Sequence, residues 1–374
     1  MIKILVYSMS SIIGGKELFI MNFCRNINQN LISFDFLCYD ENCAFEDEIK
    51  EMGGEVFKLC PPSKNPAKFY QDTKRFLSQN AGNYDILWYN CGTVHNMTYI
   101  KLSQKYGISK IVIHSHCSDK MNSGYSDKLR RLLHLHNRNK IDKYATDFWA
   151  CSAAAGEWMF PNRIIDNKEY KVIHNAIDVN RYIFNEQVRH VYRNKLDIVD
   201  KFVVGHVGRF HPEKNHDFLL EVFNCIYAKN SNSVLLLIGA GETEEIIHRR
   251  AVELGLAHAV KFLGFREDIP EFLQAIDSFV FPSLFEGLGI ALIEAQAAGL
   301  PCFASENSVP HEAKVTDLLR FINLNKSADV WADTILSFKA TRKNTYDEIV
   351  NANYDIRTEA KEVENFFLTM AKGR

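Results

Sequence analysis

No stretch of this 374-residue chain approaches the ~20 consecutive apolar residues needed to cross a bilayer, so it is not expected to be an integral membrane protein. The opening MIKILVYSMSS has no charged n-region ahead of a long apolar segment and a small-residue cleavage site, and the chain reads as cytoplasmic. Its nine cysteines (24, 38, 43, 60, 91, 117, 151, 225 and 302) are odd in number and scattered, with no Cys-x-x-Cys pair from which a zinc or redox centre is built. They read as small core residues in a reducing compartment. A strong charge of either sign is also missing, and a formal net charge of −2 argues against nucleic-acid binding. No internal repeat and no low-complexity segment is visible. A complete Gly-x-Gly-x-x-Gly does not follow the first strand, which counts against a nicotinamide-dependent oxidoreductase.

What remains is an ordinary globular composition, 47% hydrophobic and 24% charged, in a chain longer than one core usually organises. Two domains are therefore expected. Short β-branched or aromatic runs alternate with longer amphipathic stretches, the pattern of repeated βα units around parallel sheets. The first half supplies KILVYS, FDFLCY, EVFKL, DILWYN, KIVIHSH and DFWACS as strands, and a helix is expected from Glu17 to Asn28. The second half restarts with FVVGHVGR, SVLLLIGAG, VKFLGF, SFVFPS and PCFAS. KVIHNAIDVNRY reads as a last strand running into a linker, which sets the expected boundary near Asp178. The stretch from Tyr346 to Ala371 is helix-like throughout.

The strongest chemical signal is SLFEGLGIALIEAQAAGLP, residues 283–301. Glu286 precedes Gly287, Leu288 and Gly289, whose glycines permit a tight turn and close backbone approach to a ligand. A strong helix-forming run then carries Glu294 about one turn in. Both acids can face the crevice beyond the strand's C-terminal end, which suits two sets of hydroxyls on one ligand. Free N–H groups of Gly289, Ile290 and Ala291 at the helix start favour an anionic group. A second constellation, GHVGRFHPEKNHDFLLEVF, places Arg209 and Lys214 after a strand that ends at Gly208.

Glu286 and Glu294 inside F-E-G-x-G-x-x-x-x-E-A-x-A-x-G-x-P closely resemble the signature of family 4 retaining glycosyltransferases, and the resemblance extends over nearly the whole chain. The subgroup it is most similar to makes bacterial exopolysaccharide and capsule, with counterparts to its Gly-Gly-x-Glu loop, its His-Ser-His strand end and its His-Asn-Ala/Gly-Ile-Asp linker. The resemblance implies an α/β fold of GT-B type: two Rossmann-like domains facing across a cleft, with the C-terminal helix crossing back to the N-terminal domain. The expected limits are 1–178 for acceptor binding, 179–345 for nucleotide-sugar binding and 346–374 for the returning helix. The implied activity is a metal-independent, retaining hexosyltransferase (EC 2.4) that moves a hexose or N-acetylhexosamine from a UDP-sugar to a lipid-linked saccharide. The alternative is a catalytically weak binding or partner subunit of the same fold.

Residue by residue, the resemblance implies that Glu294 hydrogen-bonds the ribose and Glu286 the transferred sugar. Arg209 and Lys214 match the diphosphate-binding pair, and fixed cations aimed at a departing diphosphate stabilise the transition state more than the ground state. The loop Gly14-Gly15-Lys16-Glu17 approaches the sugar donor from the first domain, although Lys16 is bulkier than the residue expected there. His114 and His116 end the strand KIVIHSH, and one of them is expected to point into the cleft, with His116 preferred over His114. Gly264-Phe265-Arg266 passes the nucleotide base, and Gly239 and Gly241 form a turn lining the same site. Pro310 is followed by His311 and Glu312 where the family often has Pro-Glu, so contacts there are left open. No metal or cofactor is expected beyond the UDP-sugar substrate. From 101 to 144 ten Lys/Arg face three Asp (119, 127 and 142), an excess of seven positive charges. The basic amphipathic stretch 126–144 reads either as a core-packed helix with a solvated face or as a contact with an anionic membrane, which would bring the enzyme to the inner face of the plasma membrane.

Overall fold

The computed structural model describes residues 1–117, 125–339 and 342–372; Asp119, counted in the basic stretch above, lies outside them. The chain divides into two compact units, one formed by Met1–Ala176 with Ile356–Arg374 and the other by Ile177–Asp355.

The first unit is built on strands Ile2–Met9 (β1), Ile32–Cys38 (β2), Val56–Lys58 (β3), Ile86–Cys91 (β4), Lys110–Ser115 (β5), Asp147–Ala150 (β6) and Lys171–Val172 (β7). They pair in parallel in the order β3-β2-β1-β4-β5-β6-β7. Every residue of β4 is buried, as expected of a strand covered on both faces. The first helix begins at Gly15, two residues earlier than expected, and ends at Asn26. Gly14 caps it in extended conformation without a side-chain bond, which leaves the first turn's N–H groups to find other partners.

The second unit repeats the plan with Phe202–Val207 (β8), Ser233–Ile238 (β9), Val260–Phe262 (β10), Ser278–Phe281 (β11), Cys302–Ser305 (β12) and Leu319–Ile322 (β13), ordered β10-β9-β8-β11-β12-β13. In both sheets the chain starts at the centre, builds outward to one side, then returns to build the other. Order therefore reverses between β1 and β4 and again between β8 and β11. Loops leaving the C-terminal ends of those strands diverge and leave a crevice where ligands of open α/β sheets bind.

The single helix expected over 346–371 is two helices, Tyr346–Asn351 and Ile356–Lys372. The break falls where Asn353 takes a left-handed φ of 62°, a conformation Asn tolerates better than most residues. Tyr354 is buried in the second unit, and its carbonyl accepts the Ile177 N–H at 2.9 Å. The last helix belongs to the first unit, where Ile356, Ala360, Val363 and Phe367 form its buried stripe. Phe367 lies 5.6 Å from Trp88 and 5.3 Å from Trp149, and side chains of this size each gain about 2–3 kcal/mol from burial.

Candidate nucleotide-sugar site

The second unit's reversal point gathers most of the residues singled out above. Beyond β8 the chain passes Gly208 and Arg209 into a short 3-10 turn, Pro212–Lys214, before the helix His216–Lys229. Beyond β11 it enters the loop holding Glu286. The two loops are tied together: Leu284 N–H donates to Glu213 O at 2.7 Å, and the Asn215 amide donates to Pro282 O at 3.1 Å. This brings Lys214 Nζ to 2.5 Å from Glu286 Oε1, with the ammonium also 4.9 Å from the centre of the Phe281 ring. The pair is largely withdrawn from solvent, the side chains being 21% and 9% exposed. Arg209, by contrast, is exposed and has no side-chain partner among the described residues.

Glu294 lies in the helix Ile290–Ala297, which starts at Gly289 with a φ of 83° that favours glycine. The Tyr182 hydroxyl donates to Glu294 Oε1 at 2.8 Å. Burial pushes the Glu294 carboxyl up from 4.5 to about 7, against the opposing pull of that hydrogen bond and of the Arg181 charge. The carboxyl thus sits near its titration midpoint at neutral pH. A side chain at Gly287 would meet nothing within 4 Å, so its neighbourhood is open space.

The remaining glycines divide by cause. A Cβ at Gly239 would lie 2.1 Å from Gly208 O, and one at Gly241 would lie 2.3 Å from Phe210 O. Their loop is pressed against the loop after β8, and the neighbouring backbone alone requires both glycines. Gly264, at φ 66°, turns the chain at the end of β10 and presents Phe265, 72% exposed, to solvent. The Arg266 guanidinium is engaged with Asp268 through two 2.8 Å bonds and lies over Phe272. Its side chain is committed locally, which leaves Phe265 as the available surface for a base. His311 and Glu312 are both exposed, with the His311 ring 4.8 Å from that of Phe321.

In the first unit, His114 and His116 differ in address. His114 is fully buried, accepts from Trp88 Nε1 at 3.4 Å and packs edge-on to Phe19 and Trp149. It is a core residue whose imidazole burial holds neutral. His116 is half-buried, with Nε2 2.8 Å from Asn90 Oδ1. Because the Asn90 amide donates to Trp88 O at 3.3 Å, its oxygen faces His116, whose Nε2 must carry the proton. Burial and the Lys16 charge push His116 down to about 3, so it is a neutral ring with Nδ1 as an acceptor. Asn90, Lys16, Tyr7, Thr93 and His95 line an adjoining cavity of about 240 Å³ at the first unit's own reversal point. Gly14 and Gly15 open the neighbouring helix, while Glu17 is buried and accepts from Ser10 Oγ at 2.9 Å, a structural tie. Among the described residues, no group of three or more His, Cys, Asp or Glu is arranged to hold a metal ion.

Residues 188–355 match the family described as glycosyl transferases group 1. The chain is 32% identical over 329 residues to the putative glycosyltransferase EpsF of Bacillus subtilis strain 168, covering 86% of this chain and 84% of that protein. This chain belongs to the group 1 glycosyltransferases. Another relative of the glycosyltransferase is the Escherichia coli UDP-Gal:alpha-D-GlcNAc-diphosphoundecaprenol alpha-1,3-galactosyltransferase, 28% identical over 64% of this chain and 60% of that one. Among solved structures, Anabaena Alr3699/HepE in complex with UDP superimposes with a TM-score of 0.72 at 20% identity, covering 100% of this chain and 98% of that one. The glycosyltransferase has the GT-B fold of two parallel-sheet α/β domains. Two contributors escaped the sequence reading, Tyr182 and Asn90. Tyr182 ends the stretch KVIHNAIDVNRY, read as a linker, and stands 112 residues from Glu294, and Asn90 lies near the end of a strand whose pattern speaks only of burial.

Proposed function

We propose that this glycosyltransferase moves a hexosyl or N-acetylhexosaminyl group from a UDP-sugar to a lipid-linked saccharide, with retention at the anomeric carbon, in exopolysaccharide or capsule biosynthesis. The observation that carries the reading is the convergence of Arg209, Lys214, Glu286 and Glu294 at one reversal point of one sheet. Two cations and two hydroxyl acceptors with a helix N-terminus between them match a diphosphate flanked by two sugars. The exposed Phe265 supplies a face on which uracil stacks. The activity for which the Escherichia coli relative is named and the UDP held by HepE support the nucleotide and the lipid-diphosphate acceptor.

In the proposed reaction the acceptor oxygen bonds to C1 as the bond from C1 to the β-phosphate oxygen breaks. The electron pair stays on the phosphate, which also takes the acceptor's proton. Arg209 and Lys214 stabilise the charge that develops there, the part a divalent ion plays elsewhere. Glu286 is held by Lys214 and acts as a hydroxyl acceptor, with no covalent role assigned to it. His116 offers Nδ1 to a sugar hydroxyl.

The helix Tyr125–Arg138 supports a peripheral membrane contact. Leu129, Leu132 and Leu133, one stripe by their spacing, are 55%, 65% and 43% exposed, with Lys128 and Arg130 beside them. His134, buried and stacked on Trp158 at 4.2 Å, anchors the helix by its opposite side. Sedimentation with anionic vesicles, lost when these leucines become serine, checks this contact.

A panel of UDP- and GDP-sugars screened for slow hydrolysis, then for transfer to a lipid-diphosphate saccharide with and without chelator, tests the activity. A UDP complex with its pyrophosphate away from Arg209 and Lys214 would sink the assignment, and hydrolysis abolished by chelator would remove metal independence.

A further inference from the structure

Glu294 takes its one side-chain hydrogen bond among the described residues from Tyr182, 2.8 Å away. Nothing in the local helix provides this bond. The phenol comes from the segment in which the chain first enters the second unit, six residues after Ala176. Tyr182 is itself fixed. It is 8% exposed, its N–H closes a 3-10 turn on Val179 O at 3.0 Å, and its carbonyl accepts from Gln274 Nε2 at 3.2 Å. Gln274 is buried and also binds Pro270 O and Asn185 N, so the tyrosine backbone is anchored at both peptide groups.

We propose that Tyr182 is a positioning residue for the nucleotide: its phenol orients the Glu294 carboxylate toward the ribose and thereby sets the lower pH limit of UDP binding. This rests on the reading of Glu294 as the ribose acceptor. A carboxylate that receives one fixed donor on Oε1 has a defined plane, and its second oxygen is presented to the ligand in one direction. The ionised acid accepts from the ribose hydroxyls more strongly, and at more sites, than the neutral acid, so ribose binding favours the ionised form. Burial works against that form, and the two groups that favour it are the Tyr182 hydroxyl and the Arg181 guanidinium, both from the same 3-10 turn. Burial above all, then the charges of Glu294 and Glu271, opposes ionisation of the Tyr182 phenol and keeps it a donor, against the pull of the Arg181 charge.

Substitution Tyr182→Phe removes one oxygen and leaves the ring in the core. UDP affinity measured calorimetrically from pH 6 to 9 on wild type, Tyr182→Phe and Glu294→Ala tests the proposal. Wild-type affinity is expected to fall below about pH 7, and in Tyr182→Phe that fall begins about one pH unit higher. The variant is then weaker by about tenfold near pH 7 and by only about two- to threefold at pH 9. The phosphate of UDP titrates alike in every titration, so it cancels from the ratio. A Tyr182→Phe deficit of equal size at every pH, or no deficit, overturns the role of Tyr182. Unchanged UDP binding by Glu294→Ala overturns the reading of Glu294 instead, so the two failures are distinguishable.

Discussion

Replacing Lys214 by methionine removes the charge that faces Glu286 while keeping most of the volume over Phe281. Glu286 is left 9% exposed with its partner gone, and an unpaired carboxylate in such surroundings costs about 2–4 kcal/mol. Glu286→Gln is gentler, about 1–2 kcal/mol, because the orphaned ammonium is 21% exposed and its flexible stem lets it reach water. The double variant Lys214→Met/Glu286→Gln carries neither charge and recovers to within about 1 kcal/mol of wild type. For a unit of this size the single Lys214 variant then melts about 5–10 °C lower and the double variant within about 4 °C. Turnover behaves differently: each variant loses about 100-fold or more in kcat, because the pair's chemical role needs both charges. Thermal melts and transfer assays on the same four proteins separate the two effects. A double variant no more stable than Lys214→Met would refute the coupling, and a double variant that regains turnover would refute the chemical role.

Glu294→Gln should stabilise the protein at alkaline pH while weakening UDP binding. Its carboxyl is raised from 4.5 to about 7 in the folded state, so the unfolded chain ionises first and stability is lost as pH climbs through that window. Urea unfolding is expected to show Glu294→Gln ahead by about 2 kcal/mol at pH 8 and by less than about 1 at pH 5; equal stability at both would contradict the burial argument. Arg209→Ala removes an exposed side chain with no partner among the described residues, so its melting temperature stays within about 1 °C of wild type while affinity for UDP falls about tenfold and that for uridine does not. Equal losses for UDP and uridine would place Arg209 away from the phosphates. Gly239→Ala brings a methyl to 2.1 Å from Gly208 O on a backbone at φ 143°, and a loss of about 2–4 kcal/mol in urea unfolding is expected, with an unchanged midpoint the contrary result.

What the sequence discloses follows from how far apart the interacting residues stand. Short apolar runs rich in β-branched and aromatic residues mark strands, so twelve of the thirteen could be located from composition and spacing alone. Leu319–Ile322 was missed because it is an edge strand: Arg320 is exposed and Phe321 half-buried, and the run is not continuously apolar. The break at 352–355 was missed because Asn353 and Tyr354 fit a helical pattern, while tertiary burial of Tyr354 and the bridge from Ile177 to Asp355 override it. The acid motif was legible because a strand end, a glycine turn and a helix start are all local. Which of His114 and His116 meets solvent was not: two residues apart they share a face, their rings 4.3 Å apart and both against Phe19, and His116 escapes full burial because the strand ends at Ser115.

The two acids of the motif share a feature that the motif does not contain. Each is held by a donor brought from elsewhere in the second unit, Glu286 by Lys214 from the loop after β8 and Glu294 by Tyr182 from the segment that opens the unit. A carboxylate whose direction is fixed before the ligand arrives spends little rotamer entropy on binding, and such preorganisation favours groups aimed at developing charge. Arg209 is the contrasting case, exposed and uncommitted, so it gains most when a diphosphate enters. Lys214 exchanges part of an existing ion pair for a new one. The arrival of the diphosphate should therefore strengthen the contact of Arg209 more than that of Lys214, and removal of Arg209 should weaken binding while removal of Lys214 also disturbs the placement of Glu286.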